Sequence, residues 1–192
     1  VDYVTGCHAF SGILLALAAR QRTGRGQSVD VTLFDTGLAL LVPHAANWMQ
    51  SGRTPGLLGS AHPNIAPYDK FSASDGELFL GIVNDGQFRR FCRQMGREEL
   101  PDDPRFRTNA ARLQHADALR REIEQTLAGF KVADLCRELM AAGVPAGAVN
   151  TLPQAFAQPH AAHRRMLVEH DGHRAAGIPV KLGRTPGRPG RR

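Results

Sequence analysis

Two places in this 192-residue sequence carry side chains that could do chemistry, and the first is Asp2. Asp2 stands just ahead of Thr5-Gly6 and of a nearly all-apolar helix expected over about residues 9–19. A carboxylate in such a place can be a nucleophile that forms covalent intermediates. An acid near a helix N-terminus is also explained by the helix dipole and the free N–H groups there. The spacing of residues alone favours the structural interpretation of Asp2 over the catalytic one.

The second place is a long loop, residues 51–67, which is rich in small residues and carries no charge after Arg53. Small residues let a ligand approach backbone N–H groups, which can stabilise a developing oxyanion. A histidine in the same loop could transfer a proton, although a His-Pro pair in a loop is also a common structural element. The candidate binding residues are Gly59, Ser60, Ala61 and His62, followed by Pro63-Asn64.

Other chemical motifs are absent from the sequence. The basic turn Arg22–Gln27 follows a helix and precedes a strand, the reverse of a phosphate-binding loop, so a helix C-cap explains it better. The three cysteines are far apart and no Cys/His pattern has metal-ligand spacing, which favours reduced thiols in a cytosolic protein without a metal. The GxSxG motif of hydrolases is also missing.

The net charge of +6 comes mostly from the C-terminal end. Residues 181–192 contain five basic and no acidic residues, so the rest has 19 basic against 18 acidic residues. A Gly/Pro/Arg tail could bind nucleic acid, but no aromatic residue interleaves the arginines, which favours a simple disordered end and makes nucleic acid an unlikely partner. No run of about eighteen apolar residues occurs, so no membrane span is expected.

The first fifty residues predict a fragment of an α/β domain. Residues 6–21 form a helix that is apolar almost all round and therefore buried on most sides. Residues 28–33 alternate in polarity like a strand, and residues 35–50 return to a helical pattern that Pro43 bends. The sheet partners of this strand are expected to lie outside the sequence.

The remainder predicts a compact α+β domain. Asp75-Gly76 between two strand-like runs, residues 68–73 and 77–83, indicates a hairpin, and Asn84 or Asp85 caps the next helix. A long amphipathic helix is expected from Thr108 or Asn109 to Phe130, with a buried stripe of Leu113, Leu119, Ile123 and Leu127. The later expected elements are a helix over residues 132–142, a strand within 144–149, short helical turns over 152–165, and final strands at 167–168 and 178–180.

The predicted fold class is therefore α/β: the C-terminal part of a Rossmann-like large domain, arranged helix-strand-helix, plus a smaller α+β domain. Residues 1–55 belong to the large domain and residues 56–166 form the small one. Residues 167–192 are a return segment toward the large domain followed by the basic tail.

The order of several short motifs resembles class III CoA-transferases, the relatives of formyl-CoA and carnitine CoA-transferases and of α-methylacyl-CoA racemase. The resemblance covers about residues 1–186 and begins with Asp2-x-x-Thr5-Gly6, the apolar helix, the turn at 22–27 and the segment at 29–35. It continues through residues 59–68, Asp75-Gly76, residues 84–88, Asp103-Pro104-Arg105-Phe106, residues 143–147 and Arg165-Met166.

The resemblance implies a role for Asp2, because the family's nucleophile is an Asp just ahead of this helix. Asp2 would attack an acyl-CoA thioester and form a mixed anhydride, and CoA would then convert the anhydride to an aspartyl-CoA thioester. An acceptor carboxylic acid would take over CoA by the reverse sequence. Coenzyme A, as the acyl-CoA substrate, is the implied cofactor, no metal is needed, and a cytoplasmic enzyme is expected.

The resemblance also implies what lies outside these residues. The loop at 59–62 corresponds to a glycine-rich active-site loop of the formyl-CoA enzymes, and His62-Pro63 departs from that glycine run, which argues against formyl/oxalate specificity. Most CoA-binding residues are expected in an N-terminal half that is missing, and a complete chain is expected to form an interlocked homodimer. This incomplete chain is expected to have little or no activity alone.

Two alternatives remain. An α-methylacyl-CoA racemase would share Asp2 and use an upstream histidine as its acid/base partner. A protein of another class, a non-catalytic fragment that binds nucleic acid through its basic tail, would show strong binding that salt weakens.

Overall fold

The structure is a computed structural model that describes residues 1–170 and 172–187, and these fall into two compact units that divide after Gly59. The basic residues Arg188, Arg191 and Arg192 lie outside the described residues. The predicted domain boundaries, at residues 55 and 166, stay a prediction.

The first unit consists of helices joined by an extended segment. Its helices are α1 (Asp2–Thr23), α2 (Leu33–Ala39) and α3 (His44–Ser51). Gly24 ends α1 in the left-handed conformation at φ 70° and donates its N–H to Arg20 O, which confirms the C-cap interpretation of the glycine turn. The helical pattern breaks at residues 40–43, as Pro43 predicted.

Two expectations for this unit are wrong. Asp2 does not precede the first helix but is its first residue. Residues 28–32 do not form a strand, because a strand requires a hydrogen-bonded neighbour and none of the described residues pairs with them. The Thr32 backbone nevertheless has extended dihedrals, with φ −115° and ψ 151°, and its side chain caps α2 by accepting the Asp35 N–H.

The predicted burial of α1 is also wrong, because none of its residues is fully buried. Its half-buried positions all share one face, and they are Val4, Thr5, Ala9, Gly12, Ala16 and Ala19. Phe10 and Leu15 on other faces are 63% and 71% exposed. A helix that is apolar all round needs neighbours on several sides, and this unit supplies them on one side only.

The length of α1 raises the question of whether this helix could span a membrane. The helix has 22 residues and a mean hydropathy of 1.2, so by length and composition alone it could cross a bilayer. Core helices of folded domains pass the same test. The expectation of no membrane span, which rested on a shorter apolar run, therefore stays a prediction.

The second unit is built on a three-stranded antiparallel sheet. Strands β1 (Tyr68–Ala73) and β2 (Gly76–Gly81) form the predicted hairpin, with Ala73 opposite Gly76 across a two-residue turn. β3 (Ala146–Ala148) pairs with β2. The turn is held by Asp75, whose carboxylate accepts the Val132 N–H at 2.8 Å. The strand prediction for this sheet is confirmed.

Helices cover the sheet and form the core with it. They are α4 (Asp85–Gln94), α5 (Asn109–Gln114), α6 (Ala116–Leu127) and α7 (Val132–Ala141), with a 3-10 turn at Leu100–Asp102. Asn84 caps α4 as predicted. The core joins both sheet and helices, and its fully buried members include Leu78, Leu80, Ile82, Phe88, Phe91, Phe106, Ile123, Leu127, Leu135 and Leu139.

The long helix predicted over residues 109–130 is interrupted. α5 and α6 meet at His115, whose φ −116° and ψ 31° are not helical. The break rotates α5 relative to the pattern of α6, so the buried residue in α5 is Arg112 rather than the predicted Leu113. Leu119, Ile123 and Leu127 are buried as predicted.

The C-terminal part contains short helices and a second hairpin. α8 (Leu152–Phe156) and α9 (Pro159–His163) confirm the predicted helical turns, and β4 (Leu167–His170) pairs with β5 (His173–Ala176). The strand expected at Ile178–Val180 is wrong, since these residues have no ladder partner in the described chain.

Candidate active site

The Asp2 carboxylate lies in the first turn of α1 and is exposed. Val1 is the N-cap and makes no side-chain cap hydrogen bond. Within residues 1–170 and 172–187 no hydrogen bond or ion pair engages the Asp2 side chain. The carboxylate therefore interacts with the helix dipole and keeps its oxygen atoms available to a ligand.

The surroundings of α1 in the first unit are held by contacts that the sequence did not reveal. His8 Nδ1 lies 3.3 Å from Thr36 Oγ1, which joins α1 to α2, and Thr36 is only 3% exposed. Val29 Cγ1 would lie 2.8 Å from a Cβ added at Gly12. Gly12 therefore lets the extended segment pass close to α1. The helix, the turn that follows it and the extended segment pack together in the first unit.

The candidate binding loop falls mostly in the second unit. Gly59 is the last residue of the first unit and has φ 61°, while Ser60, Ala61 and His62 open the second. Ser60 donates its hydroxyl to Asp69, and the Asp69 carboxylate also accepts from Arg120 and from the Lys70 N–H. Asp69 is 8% exposed, so a nearly buried carboxylate at the centre of this network fixes the start of the loop to β1.

His62 is held by its backbone N–H and by two contacts of its ring. The His62 N–H donates to Tyr68 O at 3.0 Å, and the ring packs edge-on against the Tyr68 ring at 5.2 Å between centroids. His62 Nδ1 accepts the Asn64 N–H at 3.1 Å. The ring is half-buried, so its orientation is fixed while part of it remains accessible.

The end of the loop is fastened by α5. Ala66 N–H donates to Asn109 Oδ1 at 3.0 Å, and Asn109 Nδ2 donates to Asn64 O at 2.8 Å. Arg112 donates through Nε to Ala66 O at 2.6 Å. Together with the Ser60–Asp69 and His62–Tyr68 hydrogen bonds, these three contacts hold residues 60–66 in one conformation, which is the preorganisation that a binding loop needs.

Arg112 also connects the loop to the core of the second unit. Its guanidinium also donates to Phe106 O at 2.9 Å and to Asp85 Oδ1 at 2.7 Å, and it lies 4.5 Å from the centre of the Phe88 ring. Arg112 is 1% exposed. Sequence reasoning missed Asp69, Asn109, Arg112 and Arg120, because these residues act through contacts across about 9 to 51 positions that no local pattern reveals.

The cysteines are not candidates for the nucleophile in the second unit. Burial raises the pKa of the Cys92 thiol to about 12, with the nearby Glu99 charge adding to the effect. Burial also raises the pKa of Cys136. Only the thiolate is a good nucleophile, so both groups are unreactive at neutral pH. No group of three or more potential metal ligands occurs among the described residues.

A cavity of about 760 Å³ lies elsewhere in the second unit and contains none of the predicted site residues. Its walls come from α9, the second hairpin and the segment that follows. Its charged and titratable lining residues are His163, Arg164, Arg165, His170, His173 and Lys181. The cavity is lined by basic side chains. One of them, Arg164, already donates a hydrogen bond to Pro179 O and so also stabilises the local fold.

The sequence and the fold agree with known proteins. The family model described as CoA-transferase family III matches residues 1–192. The chain belongs to CoA-transferase family III, which confirms the resemblance drawn from the motifs. The solved structure of a CaiB/BaiF family protein from Brucella suis superposes with a TM-score of 0.74 at 39% identity, covering 95% of this chain and 48% of that one.

Curated relatives carry transferase names. Succinate–glutarate CoA-transferase of Agrobacterium fabrum is 38% identical over 96% of this chain and 48% of its own length. Acetyl-CoA:oxalate CoA-transferase of Acetobacter aceti is 37% identical over 94% of this chain and 46% of its own length. The chain thus spans about half the length of the curated relatives it matches.

Proposed function

We propose that this chain carries the nucleophile of an enzyme that moves CoA from an acyl-CoA thioester to a carboxylic acid. The observation that carries the proposal is the Asp2 carboxylate, which is exposed at the start of α1 and has no partner among the described side chains. Membership of CoA-transferase family III supports it. The roles of Asp2, Gly59, Ser60, Ala61 and His62 are all part of this proposal.

The first half of the proposed reaction loads CoA onto the enzyme. An Asp2 oxygen attacks the thioester carbonyl, the C–S bond breaks, and CoA leaves as a thiolate from a mixed anhydride. The thiolate then attacks the aspartyl carbonyl, and the donor acid departs as a carboxylate. Dividing one exchange into such steps lowers each barrier.

The second half runs in the opposite direction. The acceptor carboxylate attacks the aspartyl-CoA carbonyl and releases the CoA thiolate, which leaves an anhydride between the acceptor and Asp2. The thiolate attacks the acceptor carbonyl, the new acyl-CoA forms, and the Asp2 carboxylate is regenerated. Each group enters and leaves as an anion, so the cycle neither takes up nor releases a proton.

Short dicarboxylates appear in the names of several relatives. The names of three relatives specify succinate and glutarate, oxalate, or succinyl-CoA and mesaconate. We propose succinyl-CoA and a C4 or C5 dicarboxylate as the first pair to test. The His62-Pro63 pair, where formyl-CoA enzymes have glycines, is the reason to rank oxalate lower.

The test uses the complete gene product, because residues 1–192 span about half of the relatives' length. Succinyl-CoA and glutarate are supplied and glutaryl-CoA is measured. Asp2→Asn removes the attacking oxygen, and we expect transfer to fall by about 10³-fold or more. Asp30→Asn, an exposed acid of the same unit, is the matched control and keeps the activity.

A trapping experiment separates transfer from racemisation. Hydroxylamine added with the acyl-CoA converts an activated aspartyl group to a hydroxamate, which peptide mass spectrometry locates at Asp2. An unmodified Asp2 together with exchange of the substrate α-proton in D₂O supports the racemase instead.

Two further proposals concern partners. The complete protein forms a homodimer, which light scattering on the purified gene product tests against a monomer mass. Nucleic acid is not a partner, and salt-sensitive RNA or DNA binding that disappears when residues 181–192 are deleted would contradict this.

A further inference from the structure

The cavity of about 760 Å³ is formed entirely by the second unit. Its lining residues come from 163–170 and 173–187, and none of them takes part in the proposed transfer reaction. Its volume falls within the range of sites that bind small molecules. The ligand that suits this cavity can therefore be argued from the second unit alone.

The cavity walls carry positive charge. Arg164, Arg165 and Lys181 each bear a full charge, three histidines add ring nitrogens, and none of the described lining residues is acidic. Arg165 and Lys181 form no ion pair within residues 1–170 and 172–187. Glu169, an acid of the neighbouring strand β4, pairs instead with Arg174 at 3.3 Å. The charges of Arg165 and Lys181 are therefore available to an anionic ligand.

Arg165 occupies a backbone position where glycine is usual. Helix α9 ends in a Schellman motif, in which the Arg165 N–H donates to Ala162 O and the Met166 N–H donates to Ala161 O, each at 2.9 Å. The Arg165 φ is 50°, and no other non-glycine residue in the described chain has a positive φ. A side chain at this position costs free energy that glycine would avoid. The residue that bears this cost also lines the cavity, which points to a function for its side chain.

The segment after β5 holds the Arg165 backbone in place. The Gly177 N–H donates to Met166 O at 2.8 Å, and a Cβ added at Gly177 would clash with Arg165 O. Gly177 is buried, whereas most of the residues around it are exposed. The backbone that carries the Arg165 side chain is thus fixed before any ligand binds.

The walls define the chemistry of the ligand. Several positive charges in one cavity suit a ligand with several negative charges, and phosphate oxygens accept hydrogen bonds from Arg, Lys and His. A single carboxylate would leave most of this charge without a partner. The rest of the lining is largely apolar and suits a less polar body attached to the phosphates; it includes Val168, Ala175, Ala176, Ile178 and Pro186.

We propose that this cavity is a nucleotide-binding site, in which Arg165 and Lys181 contact the phosphates and the apolar wall contacts the nucleoside. The same chemistry has two sources, a free nucleotide and the ADP portion of coenzyme A. The proposal goes beyond the transfer reaction and does not depend on Asp2, because no residue assigned to that reaction lines the cavity.

The first experiment measures binding to the 192-residue chain by isothermal titration calorimetry, with ADP, adenosine and pyrophosphate as probes. We expect ADP to bind with a Kd below about 1 mM. Adenosine lacks the phosphates and pyrophosphate lacks the nucleoside, so each should bind at least about tenfold more weakly. No binding of ADP, or equal Kd values for ADP and adenosine, would overturn the proposal.

Coenzyme A and an RNA oligomer, titrated in the same way, identify the source of the ligand. A lower Kd for coenzyme A than for ADP assigns the cavity to coenzyme A, and an equal or higher one assigns it to a free nucleotide; both outcomes support the proposal. An RNA oligomer that binds more tightly than either small molecule would overturn it in favour of a nucleic-acid surface.

The second experiment places the nucleotide in this cavity by substitution. Arg165→Gly removes the guanidinium and keeps the positive φ, so its urea midpoint should be unchanged or higher. Lys181→Gln removes the second charge without changing the backbone. We expect each variant to raise the Kd for ADP by about tenfold, as for the loss of one charged hydrogen bond.

The matched control is Arg174→Gln. Arg174 is an exposed residue of β5 that does not line the cavity, and its substitution changes the net charge by the same amount as the other two. We expect its Kd for ADP to stay within about twofold of the parent. An unchanged Kd in both lining variants, or an equal rise in Arg174→Gln, would overturn the site.

Discussion

Arg112 carries a full charge at a place where only 1% of its surface is exposed. The cost of burying the guanidinium is offset by three hydrogen bonds, of which one goes to the Asp85 carboxylate. Removing one partner of a buried ion pair is costly, because the remaining polar groups are left without their donors. Arg112 therefore links the candidate loop to the stability of the second unit.

Replacement of Arg112 by Met should destabilise the second unit by about 3 kcal/mol, since it leaves Ala66 O and Phe106 O without donors. The measurement is the urea unfolding midpoint, followed by fluorescence or circular dichroism. Arg121→Met, on the exposed side of α6, is the matched control and should change stability by less than about 0.5 kcal/mol. Equal effects of the two substitutions would contradict the role assigned to Arg112.

Cys92 makes the stability of the second unit depend on alkaline pH. Burial raises its pKa in the folded protein from 9.0 to about 12, so the unfolded chain loses the thiol proton first. The contribution is fully present below about pH 9 and is lost progressively as the pH rises toward 12. We therefore expect the urea concentration at the unfolding midpoint to decrease as the pH is raised from 8 to 10.5.

The control for this pH effect is Cys92→Ala. That variant is less stable at every pH because of the cavity it creates, but its midpoint should fall less steeply with pH than that of the parent. Identical slopes for the two proteins would show that Cys92 is not the titrating group.

At the scale of elements, the loop over residues 60–66 owes its conformation to α5. Asn109 bridges the Ala66 N–H and Asn64 O, so a helix distant in sequence replaces the local hydrogen bonds that a loop lacks. The sequence predicted Asn109 only as a residue near a helix start. Its side-chain role could not be predicted, because the break at His115 sets the orientation of α5.

Substitution of Asn109 by Ala should loosen the loop without unfolding the unit, at a cost of about 1–2 kcal/mol for the two lost hydrogen bonds. Hydrogen exchange read by mass spectrometry should show faster exchange in the peptide that covers residues 60–67. Asn150→Ala, in an exposed segment after β3, should leave that peptide unchanged. Unaltered exchange in Asn109→Ala would mean that the loop is held by other contacts.

At the scale of the whole chain, the two units differ in how much apolar surface they bury. The core residues all lie between Phe71 and Val144. In the first unit, by contrast, Tyr3, Phe10, Phe34 and Met49 are each more than 60% exposed. A unit that buries so little has little to offset its conformational entropy.

Expressed separately, residues 60–187 should unfold cooperatively in urea, and residues 1–59 should show no cooperative transition. The 192-residue chain should bind a hydrophobic dye through its exposed apolar side chains, and deletion of residues 1–59 should abolish most of that signal. Dye binding that survives the deletion would place the exposed apolar surface in the second unit.

The sequence alone determined the family, through the order of motifs from Asp2 to Arg165-Met166, and it determined elements that depend on local signals. The hairpin at Asp75-Gly76, the Asn84 cap and the Gly24 end of α1 were predicted, because turn and cap preferences act over a few residues. The tertiary structure decided the burial of Arg112, the exposure of α1 and the absence of a strand at residues 28–32. Burial and strand pairing depend on neighbours distant in sequence, and only the folded chain specifies those neighbours.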